Sequence, residues 1–277
     1  METIELVVGP HCHHALADGP VDGELVLLLH GFPETSYEWR QQITTLGRAG
    51  YRAVAPDQRG YAPGARPAAV EEYHVDHLVA DVLGFADALG AERFHLVGHD
   101  WGGFVAWYTA GRHGERLRTL TVVSTPHPVP FHGAMRSGDS DQGERSSYMQ
   151  WFRTSEAEAT FLADDAALID AAYAEHPRDA AAEYRRVFTA DDGAALTGGL
   201  NWYRANDFGA AIGPITVPTM YVWSTADVAL GREAAEGTGA EVSGPYRFEV
   251  LEGVSHWIPE VAADALDALL LDHLARG

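Results

Sequence analysis

Short apolar runs and longer amphipathic stretches take turns along this chain. Residues 4–8 and 24–29 predict strands, the second apolar enough on both faces to lie inside a sheet. Residues 51–55 form a further apolar run that ends at Pro56-Asp57, and residues 93–97 another that leads into Gly98. Residues 120–123 end at Ser124-Thr125-Pro126, and residues 219–223 and 246–251 complete the set. Helical periodicity fills the intervals, most clearly over 75–89 and 261–274. Such alternation predicts an α/β fold with a mostly parallel central sheet flanked by helices. One segment departs from it. After Pro126-His127-Pro128-Val129-Pro130 the pattern stays helical, through residues 155–159 and 164–169, until Gly213-Pro214. Proline-rich joints on both sides predict a helical cap inserted at 128–213 into a core made of residues 1–127 and 214–277.

The sharpest local signal is Gly98-His99-Asp100-Trp101-Gly102-Gly103, set between the run at 93–97 and a helix-like run at 104–108. Strand, glycine-crowded turn and helix are the context of a nucleophile elbow, in which a strained turn lifts one side chain above the sheet. The lifted residue is Asp100. A carboxylate can attack a tetrahedral carbon that bears a leaving group or belongs to a strained ring, giving an ester whose carbonyl is the enzyme's own. Water must then attack that carbonyl, and this step needs a base. In an elbow fold the acid and the base follow the nucleophile in that chain order. Asp227, after the run at 219–223, and His256, after the last predicted strand, meet the requirement. Both lie at carboxyl ends of strands, where open α/β sheets carry their sites. His256, with an unperturbed pKa of ~6.5, suits the base, and Asp227 suits the acid that orients it. His30-Gly31-Phe32-Pro33 follows the run at 24–29. The Phe32 and Trp101 amides are predicted to form an oxyanion hole, with His30 supporting the turn.

Composition narrows the picture further. A chain of 277 residues suits one large domain with an insertion. The formal charge of -21 argues against nucleic acid and anionic membranes as partners. All 19 basic residues are Arg, which removes Schiff-base and Ser-Lys chemistry. Cys12 stands alone, so no intrachain disulfide and no cysteine cluster for a metal is expected. His11-Cys12-His13-His14 is read as part of an N-terminal strand or turn, because neighbouring strand positions face opposite ways and do not converge on an ion. Asp57-Gln58-Arg59-Gly60 reads as a loop at the sheet edge without a phosphate-binding glycine pattern. No cofactor is expected. The start of the chain lacks the basic residues of a signal peptide and no apolar run is long enough to span a bilayer, so a cytoplasmic, membrane-free protein is expected.

His30-Gly31-Phe32-Pro33-Glu34, Asp57-Gln58-Arg59-Gly60-Tyr61 and the Asp100 elbow together resemble the α/β-hydrolase superfamily. Within it they resemble the epoxide hydrolases and their kin, the haloalkane dehalogenases, over essentially the whole chain. The cap separates these two. Ring opening leaves an alkoxide that needs a proton, whereas a halide needs only directed N–H donors. Ser147-Tyr148-Met149-Gln150-Trp151-Phe152 and Leu200-Asn201-Trp202-Tyr203-Arg204 resemble the two epoxide hydrolase cap motifs whose tyrosines polarise the epoxide oxygen. The resemblance implies that Tyr148 and Tyr203 are the proton donors. Phe32 stands where dehalogenases typically carry Asn or Glu, and Ser124 stands where some of them place their acid. Trp101 and Phe104 stand where fluoroacetate-specific relatives carry carboxylate-binding Arg. The resemblance therefore implies hydrolysis of a small apolar epoxide to a vicinal diol, by a monomer or homodimer. Haloalkane dehalogenation is the alternative, and a non-catalytic ligand-binding protein of the same fold a remoter one.

Overall fold

The computed structural model describes residues 1–207, 209 and 211–276. Its strands are β1 (Glu2–Val8), β2 (His11–Asp18), β3 (Leu25–Leu29), β4 (Arg52–Pro56), β5 (Phe94–His99), β6 (Leu117–Val123), β7 (Thr219–Ser224) and β8 (Tyr246–Leu251). They form one sheet in the order β1-β2-β4-β3-β5-β6-β7-β8. β1, β2 and β4 pair antiparallel, and every pairing from β4 to β8 is parallel. The strand reading of His11–His14 holds, as part of a full strand at 11–18 between β1 and β4, while one local reading changes: the loop at 57–60 leaves an interior strand rather than the sheet edge. His11 and His13 find separate partners there: His11 Nε2 lies 3.0 Å from Arg59 Nη1, and His13 Nδ1 lies 3.0 Å from the Asp57 carbonyl.

β3 shows why the sheet needs cover on both faces. Leu25, Leu27 and Leu29 join one apolar cluster, while Val26 and Leu28 join the other, as period-2 alternation requires. Helix α1 (Arg40–Arg48) covers the second face with Ile43 and Leu46. Helices α2 (Val75–Ala88) and α3 (Trp101–His113) cover the first with residues such as Phe85 and Val105.

From β6 to β7 the described chain contains helices and no strand: α4 (Pro128–Arg136), α5 (Gln142–Arg145), α6 (Tyr148–Phe152), α7 (Ala157–Ala172), α8 (Arg178–Thr189) and α9 (Ala194–Ala205). The helical reading of 164–169 holds only in part. α7 is interrupted where Asp164, Asp165 and Ala166 take φ of 50°, 55° and 61°. Aspartate tolerates that region better than most non-glycine residues. The chain then returns through α10 (Arg232–Gly237), α11 (Ile258–Val261) and α12 (Ala263–Leu274), which adds Leu266, Leu270 and Leu274 to the second face. No helix among the described residues is long and apolar enough to cross a membrane.

Candidate active site

Asp100 sits between β5 and α3 with φ 49° and ψ -117°, a conformation that costs a non-glycine residue about 1–3 kcal/mol. Glycines make the turn possible by removing bulk. A Cβ on Gly102 would lie 2.1 Å from the Leu29 carbonyl oxygen, and one on Gly98 would lie 2.3 Å from the Gly102 carbonyl oxygen. The Asp100 carbonyl accepts hydrogen bonds from the Phe104 amide at 3.0 Å and the Thr125 hydroxyl at 2.7 Å. This bracing points the carboxylate away from the sheet.

The two carboxylate oxygens meet different partners. Oδ1 accepts the Phe32 amide at 2.9 Å, and Oδ2 lies 3.5 Å from His256 Nε2. His256 Nδ1 lies 2.8 Å from Asp227 Oδ2, while Asp227 Oδ1 accepts the Ala229 and Leu230 amides at 2.8 and 2.9 Å. Asp100, His256 and Asp227 therefore form one continuous chain of contacts across loops after β5, β7 and β8. Burial opposes ionisation of Asp100, yet His256, His99 and the Phe32 amide hold its pKa below the usual carboxylate value. Burial likewise opposes protonation of His256, but Asp227 and Asp100 outweigh it and push its pKa up to about 9.

The turn after β3 is held by its own histidine. His30 Nε2 accepts the Gln58 amide at 3.1 Å, so Nδ1 carries the proton and donates to the Gly31 carbonyl at 2.9 Å. The Gln58 side chain donates in return to the His30 carbonyl at 2.7 Å. The Phe32 amide is thereby aimed at Asp100. Trp101 is buried at the first position of α3, and its side chain hydrogen-bonds Tyr203.

Tyr148 begins α6 and Tyr203 lies near the end of α9, with ring centroids 6.4 Å apart. Both line two adjoining cavities, of about 420 and 640 Å³, that share Asp100. The remaining lining is almost wholly apolar, including Phe131 and Met149 in the smaller cavity and Phe152 and Phe161 in the larger. Burial, then the Asp100 charge, pushes the Tyr148 hydroxyl far up, and a hydrogen bond with Tyr203 opposes this only in part. Tyr203 is pushed up by burial and by Tyr148 and Asp100, against its bond with Trp101. Both tyrosines stay protonated.

A buried ionic cluster beneath the elbow escaped the sequence reading. His99 Nδ1 lies 2.9 Å from Glu38 Oε1 and 3.2 Å from Glu34 Oε2, while its Nε2 lies 3.0 Å from the His256 carbonyl oxygen. Both ring nitrogens face acceptors only, as an imidazolium requires. Its two carboxylate neighbours lift the His99 pKa well above the usual value despite burial. Two buried carboxylates cannot both keep a charge beside one cation. Burial and the Glu34 charge drive Glu38 towards its protonated form, whereas His176 and His99 hold Glu34 ionised against burial. Glu38 Oε2 also accepts the Gly31 amide at 3.0 Å, and the Ser124 hydroxyl donates to the His256 carbonyl at 2.9 Å. The cluster thus touches both the turn after β3 and the His256 loop. Its three ligand atoms lie within 4.8 Å of one another, close enough for a cation, but the imidazolium already supplies the positive charge.

The elbow that carries Asp100, the strand-end residues Asp227 and His256, and the amide turn after β3 are the features of an α/β hydrolase. The chain belongs to the α/β hydrolase fold family, whose model matches residues 24–263, and within it to the epoxide hydrolases. Epoxide hydrolase A of Mycobacterium tuberculosis is 33% identical over 92% of each chain. The AB hydrolase superfamily protein YfhM of Bacillus subtilis is 35% identical over 94% of this chain and 93% of its own. Among solved structures, epoxide hydrolase A from Mycobacterium thermoresistibile superposes with a TM-score of 0.85 at 29% identity, covering 99% of this chain and 98% of its own.

Proposed function

We propose that the protein hydrolyses a small apolar epoxide to a vicinal diol through an ester on Asp100, with residues 128–213 acting as a cap over the site. The observation that carries this reading is the Asp100 carboxylate itself. One oxygen rests on the Phe32 amide and the other is directed towards His256, beside cavities lined by two protonated tyrosines. Oδ2 attacks a ring carbon, the C–O bond of the ring breaks, and Tyr203 with Tyr148 protonates the alkoxide. Apolar lining favours a neutral substrate and shields the ester from stray water.

Formation of the ester removes the charge on Asp100. One of the two carboxylates that held the proton on His256 is then gone, so its pKa falls and the imidazole releases a proton that restores the tyrosine. Neutral His256, oriented by Asp227, takes a proton from water, and the hydroxide formed attacks Asp100 Cγ. Negative charge develops on Oδ1, where the Phe32 and Trp101 amides stabilise it. Collapse breaks the bond between Cγ and Oδ2 of the ester; the leaving alkoxide takes the acid proton and departs as the diol. Asp100 returns as a carboxylate and His256 as an imidazolium, so the cycle closes.

The test is Asp100→Ala assayed for diol formation with styrene oxide. Loss of at least about a thousandfold in turnover is expected for removal of a nucleophile. Turnover within a few fold of the wild type would overturn the covalent route.

A further inference from the structure

The loop that carries Asp227 is gripped from outside by the helical segment. Gln142, fully buried on α5, uses both ends of its side-chain amide. Its Oε1 accepts the Gly231 amide at 2.7 Å, and its Nε2 donates to the Ala229 carbonyl at 2.8 Å and to the Ser146 hydroxyl at 2.8 Å. Arg145, also on α5, donates from Nη1 to the carbonyl of Asp227 itself at 2.7 Å, while its Nε pairs with Asp141 at 2.8 Å. Gly231 permits the close approach: a Cβ there would lie 3.2 Å from Asp141 Oδ1 and 3.3 Å from Gln142 Oε1. On its inner side the same loop wraps the Asp227 carboxylate through the Ala229 and Leu230 amides. The orientation of Oδ2 towards His256 is therefore fixed jointly by the loop's own amides and by α5.

We propose that Gln142 and Arg145 are positioning residues for the Asp227–His256 pair, so that the cap segment sets the rate of ester hydrolysis. The proposal rests on the roles of Asp100 and His256 given above. Attack by Asp100 draws on the tyrosines, whereas activation of water draws on an imidazole held in the right plane by Asp227. A small angular error in that carboxylate therefore falls mainly on the second step. The clamp is thus kinetically separable from the pocket.

Quench-flow with intact-protein mass, using styrene oxide, reads ester formation and ester decay separately. Gln142→Leu keeps the bulk and removes the three side-chain hydrogen bonds; Arg145→Met removes the partly exposed guanidinium with little risk to folding. Ester decay is expected to slow by at least about fivefold in Gln142→Leu and about twofold in Arg145→Met, with formation within about twofold of the wild type. The pH profile of decay is expected to move in the same variants, because a misaligned Asp227 no longer supports the imidazolium. Decay at the wild-type rate in both variants overturns the proposal. So does an equal slowing of both steps in Arg145→Met. If Gln142→Leu does not fold, Arg145→Met decides. Failure of the wild type to form any adduct on Asp100 would instead remove the reading of the site on which the proposal rests.

Discussion

Beneath the cavity, the strand-end loops bring Asp100, His256, Asp227, His99, Glu34 and Glu38 into one chain of contacts. Across it, the helices between β6 and β7 present Tyr148, Tyr203, Phe152, Phe161 and Met149, and among the described lining residues that segment adds no charged side chain. The contrast follows from what each region can hold. Loops braced by parallel strands fix the direction of a charge, and backbone amides at their turns neutralise it locally. Aromatic helices supply a dry wall, where burial keeps a tyrosine hydroxyl protonated and ready to donate. Charged groups lie below the cavity and neutral hydroxyls above it.

Among variants that keep Asp100, the largest expected effect comes from the helical side. Tyr203→Phe should slow ester formation by about a hundredfold while leaving ester decay near the wild-type rate, in line with loss of one general acid. Pre-steady-state mass measurement with styrene oxide checks it. Unchanged ester formation would move proton donation away from Tyr203.

On the floor, the two glutamates should behave unequally. Glu34→Gln strips the ionised partner from a buried imidazolium and should cost about 3 kcal/mol of stability, as breaking a buried ion pair does. Glu38→Gln removes no charge but sets an amide NH2 against one N–H donor, and should cost less, about 1–2 kcal/mol. Urea titration of both variants decides the matter, and equal losses would contradict the assignment of the proton to Glu38.

A pH dependence on the scale of the Glu34 loss should accompany these. Folding raises the His256 pKa to about 9, above the ~6.5 of an unfolded chain, so the fold favours the protonated form. Its contribution is full below pH ~6.5 and is lost as pH rises through about 9. Stability of the wild type should fall across that window more steeply than stability of His256→Gln. Parallel curves would show that the flanking carboxylates do not hold a proton there.

Much of the floor was legible in the sequence because chain order encodes it. Asp100, Asp227 and His256 each follow an apolar run, and strand ends in an α/β sheet converge on one edge. Phe32 was legible through the glycine-proline turn after β3. Glu34 and Glu38 were not, since acids spaced four apart usually mark a solvated helix face, and only the tertiary fold buries them. His99 was in view inside the elbow motif, and the question of what a histidine does in a fully buried strand could have raised it. The helical side was less readable. Aromatics at helical spacing look alike whether they pack or donate, so Tyr148 and Tyr203 stood out only by resemblance. β2 was legible only as a strand or turn, because its first half, His11-Cys12-His13-His14, carries little apolar signal.

The most direct test of the account is intact-protein mass of His256→Gln after separate exposure to styrene oxide and a primary haloalkane. This variant should attack but fail to hydrolyse. A mass gain equal to the whole epoxide, localised to Asp100, is the expected result. An alkyl adduct from the haloalkane alone, or no adduct from either reagent, would contradict epoxide opening by Asp100.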